Sequence, residues 1–361
     1  MASPRLQFVK RHAYALMVGN AVLMGSLAII SSIALGYPLR DPDGFLGPAW
    51  IRLPLLVLLA FAIDIVPRTL WRSRLQPAKF KAQALLRVRE HWTRDRIVLV
   101  VLGLVCFYVT YVSYRNLKNF LPFVRSLDGK PLTYDHELHK LDLAFMFGHD
   151  PATLSHQILG TGISAHVLSW VYLIFLPMVP IAVIAWVVWS RNVSFGYWFV
   201  TADCLAWSLG TLSYYLVPTL GPNFSFVQLY ADLPHTGVSD LQQALFYGRG
   251  DLRYDPFFSG VQSVAGFASL HVGITLMMAL VAQYTVRHRL IKVGLWVYTV
   301  LVTISTTYFG WHYIADDLAG AFIAVIAFYL GALATGQRFE RRGRSSHPTT
   351  TTGEVPIEVD S

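Results

Sequence analysis

Apolar residues fall in eight runs along this chain, and a polar or charged segment separates each from the next. The runs cover about 13–36, 50–67, 97–114, 165–190, 197–217, 264–286, 292–310 and 314–335, and most approach the roughly 20 residues a helix needs to cross a bilayer. A lone strand would leave its backbone groups unpaired in lipid, so each run must be helical. The pattern predicts an all-α integral membrane bundle of about eight transmembrane helices. The first run follows a basic segment, as a secretory signal does. Its apolar stretch exceeds the roughly 7–15 residues of a cleavable signal, so it reads as a retained span. No internal repeat relates one part of the chain to another.

Composition agrees with the pattern. Of 361 residues, 54% are hydrophobic and only 14% charged, against about 25% charged in soluble domains. There is too little polar surface to cover one or two soluble globules. Cys106 and Cys204 lie inside apolar runs, where they form neither a disulfide framework nor a metal cluster. The net charge of +8 would suggest nucleic acid if it sat on one face. Instead, twenty of the 29 Lys and Arg fall in the segments on the N-terminal side of the bilayer. This is the positive-inside bias, which puts both termini in the cytoplasm and makes the charge a topological label. No nucleic-acid partner is expected.

Three parts follow: two N-terminal spans with a basic cytoplasmic loop (1–96), a membrane-embedded core (97–336) and a disordered cytoplasmic tail (337–361). Two outward segments are long, about 115–164 and 218–263 by the same hydropathy reading. Within the first, Leu138–Gly148 alternates apolar pairs with His139, Lys140 and Asp142. That pattern suits either an interfacial amphipathic helix or a lid packed on the bundle.

Ionisable groups at membrane depth are costly and mark candidate sites. Asp64, near the inner end of the second span, and Asp203, within the fifth, read most simply as buried carboxylates paired locally. The last third of the chain differs. His271 opens the sixth span, and His312, Asp316 and Asp317 open the eighth. The expected topology puts both stretches at the outer face. If 311–320 is helical, His312 and Asp316 share a face and Asp317 points about 100° away. A carboxylate bonded to one ring nitrogen makes the other a better nucleophile, and a second histidine can serve as general acid. Together they suffice for phosphoryl transfer through a phosphohistidine, with no metal or other cofactor required. A metal site built from His271, His312 and Asp316 is the chemical alternative.

The segments FASLHVG and, with its histidine 41 residues on, TTYFGWHYIADDLAG resemble the second and third signature motifs of the type 2 phosphatidic acid phosphatase superfamily. The likeness is greatest to the inositol phosphorylceramide synthase branch, whose Pro-rich first motif YYLVPTLGPNF resembles. The resemblance implies a six-helix phosphatase-like core and assigns roles. His312 matches the nucleophile, Asp316 the residue that orients it, His271 the general acid and Ser269 a phosphate donor. Pro218, Gly221 and Pro222 match the wall of the site.

The chain departs from the family where cations are expected. The first motif carries no Lys or Arg, and the third has Thr306 where an Arg would stand. A phosphate clamp must then come from Arg115 and Lys118 or from Arg249 and Arg253, since phosphoryl transfer depends on charge neutralisation. The resemblance implies a phosphotransferase in the plasma (inner) membrane, acting on a phosphate-bearing membrane lipid with a lipid, sugar or water acceptor. A phosphatase, or a non-catalytic transporter or scaffold, is the rival reading.

Overall fold

The computed structural model describes residues 13–42, 48–74, 76–127, 130–254, 266–339 and 345–346; the side chains of 127, 130–131, 249–254 and 345–346 are outside that description. Thirteen α-helices form among the described residues. They are α1 (Ala15–Leu35), α2 (Ala49–Arg72), α3 (Pro77–His91), α4 (Arg94–Val124), α5 (Asp135–Phe145), α6 (Pro151–Leu159) and α7 (Ile163–Trp189). Then come α8 (Val193–Leu216), α9 (Pro222–Ser225), α10 (Gly237–Tyr254), α11 (Leu270–Thr285), α12 (Arg289–Tyr308) and α13 (Ile314–Ala334). A 3-10 helix at Val227–Tyr230 and two two-residue ladders, Ser126–Leu127 with Lys130–Pro131 and Arg338–Phe339 with Ser345–Ser346, complete the secondary structure among the described residues. The protein is an all-α membrane bundle.

The eight apolar runs each became a helix. Six of these, α1, α2, α4, α7, α12 and α13, are long and apolar enough to cross a membrane. The other two depart for physical reasons. Helix α8 is central, packed by α1, α4, α7, α11 and α13. Protein rather than lipid surrounds it, so Thr201, Asp203, Thr211 and Ser213 are buried along it. Helix α11 has 16 residues and starts at Leu270, later than hydropathy suggests. Ser269 caps this start, its Oγ accepting from Val272 N at 3.4 Å.

The third run gains length at both ends. Helix α4 has 31 residues because Thr93 caps its start and because its amphipathic C-terminal turns pack inward at Asn116, Leu117 and Phe120. Arg115 and Lys118 therefore stand on a helix. The described parts of the two long connecting segments fold into α5, α6, α9 and α10, at one end of the bundle.

The opposite end is fastened by Asp64. Its buried carboxylate takes a bidentate bond from Arg87, at 2.8 and 3.0 Å, and indole N–H donations from Trp92 and Trp189, at 3.0 and 3.1 Å. Arg68 lies 3.1 Å away. This matches the expected local pairing and ties α2 and α3 to α7. Arg96 clamps the same end, donating to the Val187 and Ser190 carbonyls. Asp203 is different. It is fully buried, and neither oxygen has a hydrogen-bond partner among the described residues.

Beyond α13, Gln337 donates to the Ser194 carbonyl and the Phe339 ring packs among Trp198, Tyr284 and Phe328. These first residues of the expected tail rest on the bundle. Residues 347–361 lie outside the described residues.

Candidate active site

His271 and His312 come from separate spans and meet at one end of the bundle, their ring centroids 6.0 Å apart. His271 sits in the first turn of α11. His312 is not helical: α13 begins at Ile314, so the expected i, i+4 helical pair does not form as such. His312 stands instead in the five-residue turn after α12, and Asp316 reaches back to it from the first turn of α13. The distance from His312 Nδ1 to Asp316 Oδ2 is 3.4 Å, and Nδ1 has no aligned hydrogen-bond partner. Asp316 Oδ2 also accepts from Tyr313 N at 3.0 Å, which closes the N-terminus of α13 around the carboxylate.

Asp317 is not turned out of the site. Its Oδ2 accepts from Thr306 Oγ1 at 2.9 Å, and its charge acts on His312. Thr306 thus holds a second buried carboxylate on the element that follows His312. Burial drives the His312 pKa down to about 4; Asp317 opposes this, Lys118 reinforces it and the Gly266 backbone opposes it. His312 is therefore neutral at pH 7, the form in which a ring nitrogen has a free lone pair.

Aromatic rings wall the pair. Tyr172 of α7 lies between His271 and Trp311, with centroids 4.3 and 5.2 Å away and nearly parallel planes. Phe175, one turn on, is 4.2 Å from the His271 ring. His271 Nε2 is buried without a hydrogen-bond partner among the described residues.

Ser269 is fully buried, and its backbone N–H donates to the Asp316 carbonyl at 2.9 Å. This bond joins the start of α11 to the start of α13. The two helices approach closely at Gly320, where a Cβ would lie 2.2 Å from the Ser269 carbonyl oxygen.

Segment 218–222 is brought to the same place. Gly221 has φ +99°, and a Cβ on it would lie 2.5 Å from the Trp311 carbonyl oxygen. Both the left-handed backbone and the close approach require glycine. Pro222 starts α9, and the Pro218 carbonyl accepts from Tyr134 N at 2.9 Å. Thr219 accepts from Gly266 N through its carbonyl and from Phe267 N through its Oγ1.

The cation candidates separate. Lys118 acts electrostatically on both imidazoles, its Nζ over the rings of Tyr114 and Tyr214 at 5.8 and 5.5 Å. Arg115 turns to Tyr111, donating to its hydroxyl at 3.2 Å. The side chains of Arg249 and Arg253 lie outside the described residues. Among the described residues, no group of three or more His, Cys, Asp or Glu is placed to hold a metal ion.

Two residues unassigned by motif reasoning organise the site. Asp135 accepts from Leu220 N, Gly221 N and Tyr313 Oη at 2.9–3.0 Å. Asp142 accepts from Ile314 N at 3.0 Å. Both are on α5, seven residues apart and so on one face. Of the two forms expected for Leu138–Gly148, the packed lid is the one observed: Asp135, Leu138 and Asp142 are buried under it. Its signal in the sequence is the Asp–x6–Asp spacing.

The two histidines and the carboxylate beside His312 occur in a segment that also matches a family model. That model, of the PAP2 superfamily, covers residues 136–330, more than half of the chain. The chain belongs to the PAP2 superfamily. No curated protein matches it, and no solved structure does. Superfamily membership makes this a phosphatase-like membrane enzyme at the general level. The matched stretch begins inside α5 and ends inside α13, so α1, α2 and α4 precede it. Lys118, on α4, lies outside the matched region.

Proposed function

We propose that the protein transfers a phosphoryl or phosphoryl-headgroup unit from a membrane lipid, through a phosphohistidine on His312. The 6.0 Å approach of the two imidazoles, with one flanked by Asp316, carries this reading. Nδ1 of His312 is turned to Asp316, which leaves Nε2 to attack phosphorus. As the N–P bond forms, the P–O bond to the leaving alcohol breaks, and His271 delivers a proton to that oxygen. In the second half, neutral His271 takes the proton of the incoming hydroxyl, its oxygen attacks phosphorus, and the P–N bond breaks. Such acid–base assistance contributes about 10²–10⁴ in rate. Lys118 is the cation that neutralises the phosphate, and Ser269 and the 218–222 wall confine it.

The acceptor assigned here is an alcohol, on the resemblance of the three motifs to the inositol phosphorylceramide synthase branch; water would make the enzyme a phosphatase. The site faces the outer surface if the positive-inside bias sets the orientation. The test uses purified protein in detergent with phosphatidic acid or phosphatidylinositol. Wild type should release phosphate or headgroup and form an acid-labile, base-stable adduct. His312→Ala should lose both. His271→Gln should keep the adduct but turn over slowly. Turnover unchanged in His312→Ala would refute the reading, and adduct formation abolished by EDTA would favour the metal alternative.

A further inference from the structure

Between α2, α4 and α7 lies an apolar cleft of about 180 Å³. It is comparable to an engineered cavity of about 150 Å³ that stays dry and binds benzene. Leu53 and Leu56 of α2 form one wall, Leu104 and Phe107 of α4 a second, and Val179 and Val183 of α7 a third. Two of its polar groups are committed elsewhere: Arg52 is paired with Asp41 at 2.9 Å, and Tyr108 Oη donates to the same carboxylate.

The cleft adjoins the active site. Phe175 lines it, and its ring is also 4.2 Å from His271. Trp207 lines it too, with its ring 4.6 Å from Tyr114, over which Lys118 Nζ lies. From Phe175 to Ile184 the lining follows α7 for about 13 Å at 1.5 Å per residue. It runs from the level of the histidines toward the opposite end of the bundle, the course a lipid chain takes when its headgroup is at the membrane boundary. At Leu176, half exposed on the outside of the bundle, the cleft reaches the lipid-facing surface.

We propose that this cleft holds an aliphatic chain of the phosphate-bearing lipid, and that α2 is present to form its outer wall. The proposal rests on the function proposed above. It gives a role to a helix that lies outside the PAP2-matched region. Binding the chain beside Phe175 sets the phosphate between Lys118 and the histidines.

The experiment has two arms. In the first, kcat/KM is measured on long-chain and on short-chain, micelle-free phosphatidic acid. Leu56→Trp, and separately Leu53→Trp, should lower the long-to-short ratio about tenfold, while Leu58→Trp, on the lipid-facing side of α2, should not. Taking the ratio cancels any loss of folded protein. In the second arm, phosphatidic acid with a diazirine in its chain is photolysed on the full-length protein and the labelled peptides are mapped. Saturable label on 49–72 and 163–189, competed by unlabelled lipid and reduced by Leu56→Trp, supports the cleft. An unchanged ratio, or label spread over all lipid-facing helices without competition, overturns it. Saturable label without turnover by wild type would retain the cleft and reject the proposed function.

Discussion

Asp142 accepts the Ile314 backbone N–H at 3.0 Å, so a lid helix supplies the N-terminal cap of the span that carries Asp316. A free N–H at a helix start needs such a partner, and here the partner is distant in sequence. The cap therefore sets the angle at which α13 delivers its carboxylates to His312. Asp142→Ala should cost about 1–2 kcal/mol of stability and lower turnover. Asp142→Asn keeps an acceptor and should recover most of both. Thermal unfolding in detergent, with turnover measured in parallel, checks this; equal loss in the two variants would contradict it.

The same residue gives a pH slope. Burial, with Asp316 adding to it, raises the Asp142 pKa from 3.8 to about 7. Between these values the folded protein holds a proton that the unfolded chain releases, so Asp142 makes stability fall as pH rises. His312 acts in the opposite direction, because its folded pKa lies below 6.5. Wild type minus Asp142→Asn isolates the first slope, which should appear between about pH 4 and 7 and flatten outside that window.

The acid limb of activity should follow His312. Its neutral form persists down to about pH 4, so kcat/KM of the free enzyme should keep its nucleophile well below the usual histidine range. A pH–rate profile falling with an apparent pKa near 6.5 for this group would be inconsistent with the buried ring. His312→Ala should lower kcat about 10³-fold or more, as loss of a covalent nucleophile does.

Lys118 and Arg115 are three residues apart but should behave differently. Lys118→Met removes the cation that acts on both imidazoles and should cost about 10² in kcat. Arg115→Met loses a bond to Tyr111 and should cost much less. Steady-state kinetics on the two variants distinguish them, and equal losses would move the clamp to the pair.

At the far end, Asp64→Asn should destabilise without touching chemistry. It leaves Arg87 with a weakened partner in a mostly buried pair, a change worth about 3 kcal/mol. Turnover per folded molecule should stay at the wild-type value while the unfolding temperature falls.

Hydropathy located eight helices, six of them long and apolar enough to cross a membrane, because the bilayer imposes length and apolarity on each span separately. It erred where protein replaces lipid: α8 carries buried polar residues, and α11 is short. Motif resemblance singled out His271, His312, Asp316 and Ser269, and the fold brings these residues together. Thr219 and Tyr172 carry no such signature, and Asp135 and Asp142 carry only their seven-residue spacing. Each acts by meeting a backbone or ring that is far away in the chain.

Local composition was enough to assign an all-helical membrane protein, since burial in lipid is a property of individual segments, whereas the candidate residues for phosphoryl transfer came from the resemblance of short motifs. Folding decided the rest. That Lys118 lies over Tyr114 and Tyr214 while Arg115 turns to Tyr111, that Asp317 turns in to Thr306, and that α2 walls a cleft beside Phe175 depend on how helices pack. Packing angles arise from contacts between distant segments, such as Gly320 against Ser269, and no single stretch of the chain encodes them.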